Sequence, residues 1–194
     1  MEDLPNPPPG QNMPSGLIQP AENGWTIHYR PMTLEDIPQV HSIDRLSFNL
    51  PWPEKSYTYE LTQNPNGILW VAEAFPSQAD LVPRIAGMIV VWFVVDEAHV
   101  ATIAIHPEFR GRGLSKPLLA LGLRSAMQRG AIESTLEVRA GNLLAQRLYV
   151  QFGYQIVGRR PRYYRDNDED AILMTVSGLG PAYLAWLETI IAGA

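Results

Sequence analysis

VATIAIHPEFRGRGLSKPLLAL, residues 100–121, is the stretch on which the fold turns. It begins as a strand (Thr102-Ile103-Ala104-Ile105) and breaks at His106-Pro107. It then runs through Arg110-Gly111-Arg112-Gly113-Leu114-Ser115 into an amphipathic helix. A strand, a glycine-containing turn and a helix start in succession leave backbone N–H groups unpaired at the positive end of a helix. That combination suits an anionic ligand, phosphate above all. Arg110, Arg112 and Lys116 add charge-assisted donors. Pro117 lacks an N–H and is tolerated only in a first turn, so the helix begins close to Leu114. Two glycines at this spacing are not the dinucleotide fingerprint, and no Gly-Lys-Ser/Thr is present for a Walker A loop. Taken alone, the stretch also fits an ordinary strand-to-helix loop with a solvated basic face.

Downstream, the helix from Leu114 to Gln128 ends at Arg129-Gly130, a C-cap signal with a cation in the last turn. Ile132 to Val138 alternates, with Glu133, Thr135, Glu137 and Arg139 on one face and Ile132, Leu136 and Val138 on the other. Asn142 caps a helix over Leu143–Phe152 that Gly153 closes, with Leu144, Leu148 and Phe152 on its apolar side. Tyr154–Arg160 and Ala171–Val176 make a final hairpin. Between them lie Arg162-Tyr163-Tyr164-Arg165 and an acidic tip, Asp166 to Asp170. After Pro181, the residues Tyr183, Trp186, Leu187, Ile190 and Ile191 share one helix face. That face is buried either on its own domain or against a partner, a homodimer among the options.

Upstream, residues 1–23 carry Pro5, Pro7, Pro8, Pro9, Pro14 and Pro20 among Asn, Gln and Gly, and are expected to form a tail, disordered or draped on the domain. Trp25 to Arg30 alternates as a strand. Thr33-Leu34-Glu35-Asp36 resembles a helix cap, and Leu34, Ile37, Val40, Asp44 and Phe48 recur at helical spacing. Asn49-Leu50-Pro51-Trp52-Pro53 breaks that helix, and Glu54 to Gln63 forms a second. Phe48, Leu50 and Trp52 either wall a cleft or belong to the core. Strands follow over Ile68–Ala74, Ile85–Val95 and Ala98–Ile105, with a long loop at Phe75–Pro83 and a turn at Asp96-Glu97. The order β-α-α-β-β-β-α-β-α-β-β predicts a single mixed α/β domain, antiparallel first, with a β-α-β crossover after the glycine turn.

The 194 residues suffice for one domain with tails. A hydrophobic fraction of 46% and a charged fraction of 18% are those of an ordinary globular protein. A net charge of −5 supplies no general attraction to nucleic acid or acidic membranes. The absence of cysteine excludes disulfides, thiolate metal sites and a cysteine nucleophile, and fits a reducing compartment. His28, His41, His99 and His106 lack metal-ligand spacing. No export signal is recognisable, and the apolar run Ile85–Val95 is about half of a membrane span. A cytoplasmic protein without metal is expected.

The whole constellation is more specific than its parts: strand–Arg110-x-x-Gly113-x-Ser115–helix, Leu136-Glu137-Val138-Arg139, Asn142, and Leu148-Tyr149-x-x-Phe152-Gly153-Tyr154. It resembles the GNAT superfamily of acetyl-CoA-dependent N-acetyltransferases, within it most of all the N-terminal protein acetyltransferases that modify ribosomal protein alanine. Tyr163-Tyr164, Glu169-Asp170-Ala171 and the Pro51-Trp52 loop after Asp44 add to the likeness, which covers about residues 25–177. Ser115 departs from the family's Gly or Ala there, yet keeps its N–H. The resemblance implies a GNAT-like α/β domain over 24–178 with a mixed, mostly antiparallel central sheet flanked by helices. Residues 1–23, a Pro-rich tail, and 179–194, a helical extension, inherit nothing from it.

Acetyl transfer from a thioester to an amine needs a neutral nucleophile, a polarised carbonyl and a proton for the departing thiolate. The resemblance implies that Ile103, Ala104 and Ile105 hold the pantetheine in a β-like manner, with an N–H near Ala104–Ile105 facing the developing oxyanion. Arg110, Gly111, Arg112, Gly113, Leu114, Ser115 and Lys116 would cradle the pyrophosphate, and Asn142 would touch the cofactor. It further implies Glu137 as general base, through water, and Tyr149 as general acid. Phe48, Trp52, Tyr163 and Tyr164 would line the acceptor groove. A terminal amine titrates at about 7.7–8.0 and lysine at about 10.4, so the terminal amine needs less help to lose its proton. Rival expectations are the same chemistry on a small amine or a lysine side chain, and a non-catalytic acyl-CoA sensor.

Overall fold

The computed structural model describes residues 18–21, 24–77 and 82–193. Its strands are β1 (Ile18–Ala21), β2 (Trp25–Pro31), β3 (Gly67–Pro76), β4 (Arg84–Val94), β5 (Glu97–Ile105), β6 (Glu133–Arg139), β7 (Gln155–Tyr164) and β8 (Glu169–Ser177). Its helices are α1 (Ile37–Ser47), α2 (Glu54–Thr62), α3 (Ser115–Gln128), α4 (Leu143–Gln151) and α5 (Pro181–Ala192). The strands lie in one sheet in the order β1-β2-β3-β4-β5-β6-β8-β7. All neighbouring pairs are antiparallel except β5 and β6, which the crossover through α3 makes parallel.

Helices cover both faces of the sheet's centre, and β4 is therefore apolar almost throughout rather than alternating. On one face Leu118, Leu119 and Leu123 of α3 pack on Ile89, Val91 and Val100, joined by Leu187 and Ile191 of α5. On the other, Val40 and Ile43 of α1 and Tyr57 of α2 pack on Val71, Met88, Val90 and Ala104. Leu187 and Ile191 of the C-terminal helix are buried on its own chain and Tyr183 and Ile190 partly so, while Trp186 stays 36% exposed; Tyr183 fastens the helix by donating to the Phe152 carbonyl at 2.8 Å. Among the described residues no helix is long and apolar enough to cross a membrane.

Several local expectations are corrected. Residues 18–21 of the stretch read as a tail pair with β2 as a strand, while 1–17 and 22–23 lie outside the described residues. The β4–β5 turn is Val95-Asp96 rather than Asp96-Glu97, with Val95 at φ 61°. Ile132 precedes β6 and is exposed. Leu144 is 80% exposed, and α4 instead meets the core through Ala145, Leu148 and the buried Tyr149. Leu34 is exposed as well, in a 3-10 turn that precedes α1. The tyrosine pair expected in a loop instead ends β7.

Candidate functional site

Strands β5 and β6 pair only from Glu97 to Val100 and from Glu133 to Leu136. Beyond that point the pairing ends, and Ala101 to Ile105 of β5 have no partner in β6. The pairing of β5 with β4 is irregular at the same level: Val90 lies opposite Thr102 and Val91 opposite Val100, so Ala101 is an extra residue. A bulge of this kind increases twist and bends its strand. Neither the bulge nor the parting is written in local periodicity.

Just past the end of β5 the chain reaches the glycine turn. Leu114 is buried and anchors the start of α3, while Gly111, Arg112, Gly113 and Lys116 are exposed. Gly111 and Gly113 both hold φ 78°, a left-handed conformation that glycine adopts without the Cβ penalty. Among the described residues no backbone carbonyl accepts from the N–H groups of Gly111 to Leu114. Nothing lies within 4 Å of where a Cβ would sit on either glycine. Exposed amides without backbone acceptors at a helix start suit an anion such as a diphosphate. Arg110 is committed elsewhere, donating from Nε to the Ile105 carbonyl at 3.0 Å and from Nη2 to Ser47 Oγ at 3.0 Å. It ties the turn to β5 and α1, whereas Arg112 reaches back to the Glu108 carbonyl at 3.1 Å.

Glu137 stands on β6 just beyond the last pair with β5. Its Oε1 is 2.9 Å from Arg160 Nη1 and its Oε2 is 3.3 Å from His99 Nε2. Neither partner is recognisable from sequence as such, since Arg160 comes from β7 and His99 from β5. Tyr149 is 5% exposed, with its ring 5.7 Å from that of Tyr154. Burial, with a smaller contribution from Tyr164, pushes the Tyr149 phenol well above its ordinary value. Burial likewise lifts Tyr164 to about 12, with Arg139 opposing and Tyr163, Glu137 and Glu169 adding to the rise. Both phenols therefore hold their protons at neutral pH.

Aromatic rings form one wall beside Glu137. Trp52 stacks on Trp92 at 5.9 Å between centroids, and Trp92 on His99 at 5.5 Å, both at 16°. Trp52 and Phe48 are half-buried and pack on the α1–α2 core, so each is both core and potential wall. At the end of β7, Tyr163 and Tyr164 meet edge to face at 5.2 Å, and the Arg139 guanidinium lies 3.9 Å over the Tyr164 ring. Arg139 also pairs with Asp166 and Glu169, which consumes much of the acidic tip. A bond of 2.7 Å from Asn49 Nδ2 to Asp166 Oδ2 brings the loop after α1 to the β7–β8 turn. The four residues expected around an acceptor thus come from two segments that touch. Asn142 accepts from the Ala145 N–H at 3.1 Å, so its carbonyl oxygen caps α4.

Residues 37–154 match the model of the Acetyltransferase (GNAT) family. A putative [ribosomal protein bS18]-alanine N-acetyltransferase of Bacillus subtilis (strain 168) is 39% identical over 148 residues, which are 76% of this chain and 93% of the relative. The [ribosomal protein bS18]-alanine N-acetyltransferase of Escherichia coli (strain K12) is 29% identical over 152 residues, covering 73% and 90%. The crystal structure of the ribosomal-protein-S18-alanine N-acetyltransferase from Escherichia coli superposes with a TM-score of 0.66 at 27% identity, covering 78% of this chain and 93% of that one.

Proposed function

The chain belongs to the GNAT acetyltransferase family, and from that premise we propose that it moves the acetyl group of acetyl-CoA to the N-terminal α-amine of a protein. The observation that carries this is one arrangement: β5 loses its β6 partner beyond Val100, and Glu137 stands on β6 just past the last pair, held by His99 and Arg160. The named activity of the relatives that match over most of their length supports the choice of amine. The proposed setting is the cytoplasm, where such an acceptor is synthesised.

Acetyl-CoA supplies an activated acyl group on a thiol that leaves readily. The free edge Ile103-Ala104-Ile105 would pair with the pantetheine, and an N–H near Ala104–Ile105 would meet the charge developing on the acyl oxygen. The amides of 111–115 would take the diphosphate, with Arg112 and Lys116 flanking it. Arg110 would then serve as a brace of the turn, given its two bonds within the chain. Glu137 would draw one proton from the acceptor ammonium through water. The amine then bonds to the acyl carbon as the carbon–sulfur bond breaks. Tyr149 would give the thiolate its proton and regain one from the nitrogen, so one proton in all is released.

A panel of peptides beginning with Ala, Ser, Met or Thr, set beside polyamines, aminoglycosides and a blocked lysine peptide, tests the proposal. Mass spectrometry should find one acetyl gained on the α-amine of a peptide subset. Acetylation of side-chain or small-molecule amines alone would overturn the choice of acceptor. Binding of acetyl-CoA without turnover on any amine would point to a sensor.

A further inference from the structure

Both oxygens of Glu137 are engaged: Oε1 with Arg160 at 2.9 Å, Oε2 with His99 at 3.3 Å. Protonating Glu137 would neutralise it and forfeit its attraction to Arg160, a group that does not itself deprotonate in proteins. Placing the proton on His99 instead leaves Glu137 charged, between two cations. The imidazole is held for that task. It is 25% exposed, lies flat against Trp92, and Trp92 is fixed in turn by donating from its indole to Glu60 Oε2 at 3.0 Å. The charged and titratable groups around it are Glu137 on β6, Arg160 and the Tyr164 phenol on β7, and Glu60 on α2 behind the indole.

We infer that His99 is a positioning residue of the acetyl-transfer site, orienting Glu137 and holding, at Nε2, the proton that the acceptor ammonium gives up. This rests on the proposed acetylation of an amine. The proton passes from the ammonium through water or Glu137 to Nε2, then from the exposed edge of the ring to solvent. His99 forms no bond to carbon or sulfur. The amine's second proton still reaches the thiolate by way of Tyr149.

The test uses the full chain, acetyl-CoA and an acceptor peptide, with kcat followed across about pH 5.5 to 9, the interval in which an imidazole changes charge. Wild-type turnover is measured first. Absence of any acetylated amine counts against the proposed function, whereas turnover that ignores His99 counts against His99 alone. His99→Gln should lower kcat by about 10²-fold, with the peptide KM and the acetyl-CoA affinity near wild type. Its kcat profile should lose the acidic limb. In His99→Ala, imidazoles added to the buffer should restore turnover in the order of their basicity. A His99→Gln profile that superimposes on wild type after scaling, or rescue indifferent to basicity, overturns the inference. Should the alanine variant fail to fold, the glutamine profile decides by itself.

Discussion

The main-chain N–H of Trp52 donates to Oδ2 of Asp44 at 2.5 Å, and Asp44, near the end of α1, is 1% exposed. One buried carboxylate thus sets the path of the loop that carries an aromatic wall of the site. Burial lifts the Asp44 carboxyl above its ordinary value, although the Trp52 N–H pulls the other way.

The acceptor function of Asp44 matters more than its charge. Asp44→Ala leaves the Trp52 N–H without its partner and should cost about 1–3 kcal/mol. The peptide KM should rise while acetyl-CoA affinity stays. Asp44→Asn retains an oxygen and sheds the cost of a buried charge, so it should melt near wild type. Thermal melts of the two variants, with peptide titrations, check this; an asparagine variant as weak as the alanine one would mean that the charge holds the loop.

Tyr149→Phe keeps the buried ring and removes the phenolic proton. A fall in kcat of about 10²–10⁴ is expected, with the calorimetric affinity for acetyl-CoA nearly constant. Near-normal turnover would take Tyr149 out of the acid role.

Gly113→Val should abolish acetyl-CoA binding through its backbone. At φ 78° a β-branched residue is strained, although no atom of the chain lies within 4 Å of the added Cβ. The turn would have to change conformation and turn its amides elsewhere, while the core beneath Leu114 survives. Calorimetry with acetyl-CoA and a thermal melt separate the two effects: lost heat with a melting point only slightly lowered.

Asp36 makes stability depend on acid pH. It accepts from both terminal nitrogens of Arg30, at 2.7 and 2.8 Å, and from the Thr33 N–H at 2.8 Å. Burial alone would raise its carboxyl, but Arg30 and Thr33 overrule it and hold it below the ordinary value. A depressed carboxylate contributes stability that is complete above its unfolded value of about 3.9 and fades as pH falls through the lower folded value. Urea melts of wild type and Asp36→Asn should therefore differ by a constant amount from about pH 7 to 5, and converge below about pH 4. A difference that persists unchanged at about pH 2.5 would show that the ionised carboxylate is not its source.

Much of the site was legible because its parts are local. The glycine turn and helix start of residues 110–117 follow from proline and glycine chemistry, and the placement of Glu137 opposite Leu136 and Val138 follows from a two-residue alternation. Periodicity assigns Leu144 to an apolar face without saying how much of that face another element covers, and Leu144 is 80% exposed. Strand β1 is not legible locally, because Ile18–Ala21 has no alternation of its own and is a strand through its pairing with β2. The bulge at Ala101 and the two partners of Glu137 were invisible, since each depends on residues far apart in the chain.

By itself, the order of residues determined the element types from residue 25 onward, the parallel crossover through α3 and the anion-suited turn, because dihedral preference, capping and periodicity act over a few neighbouring positions. Only the tertiary structure decided where β5 and β6 separate, that Asn49 reaches Asp166, and that Glu137 is shared between His99 and Arg160. Those outcomes come from how twisted strands and packed side chains close on one another, a balance of contacts that no short stretch of sequence contains.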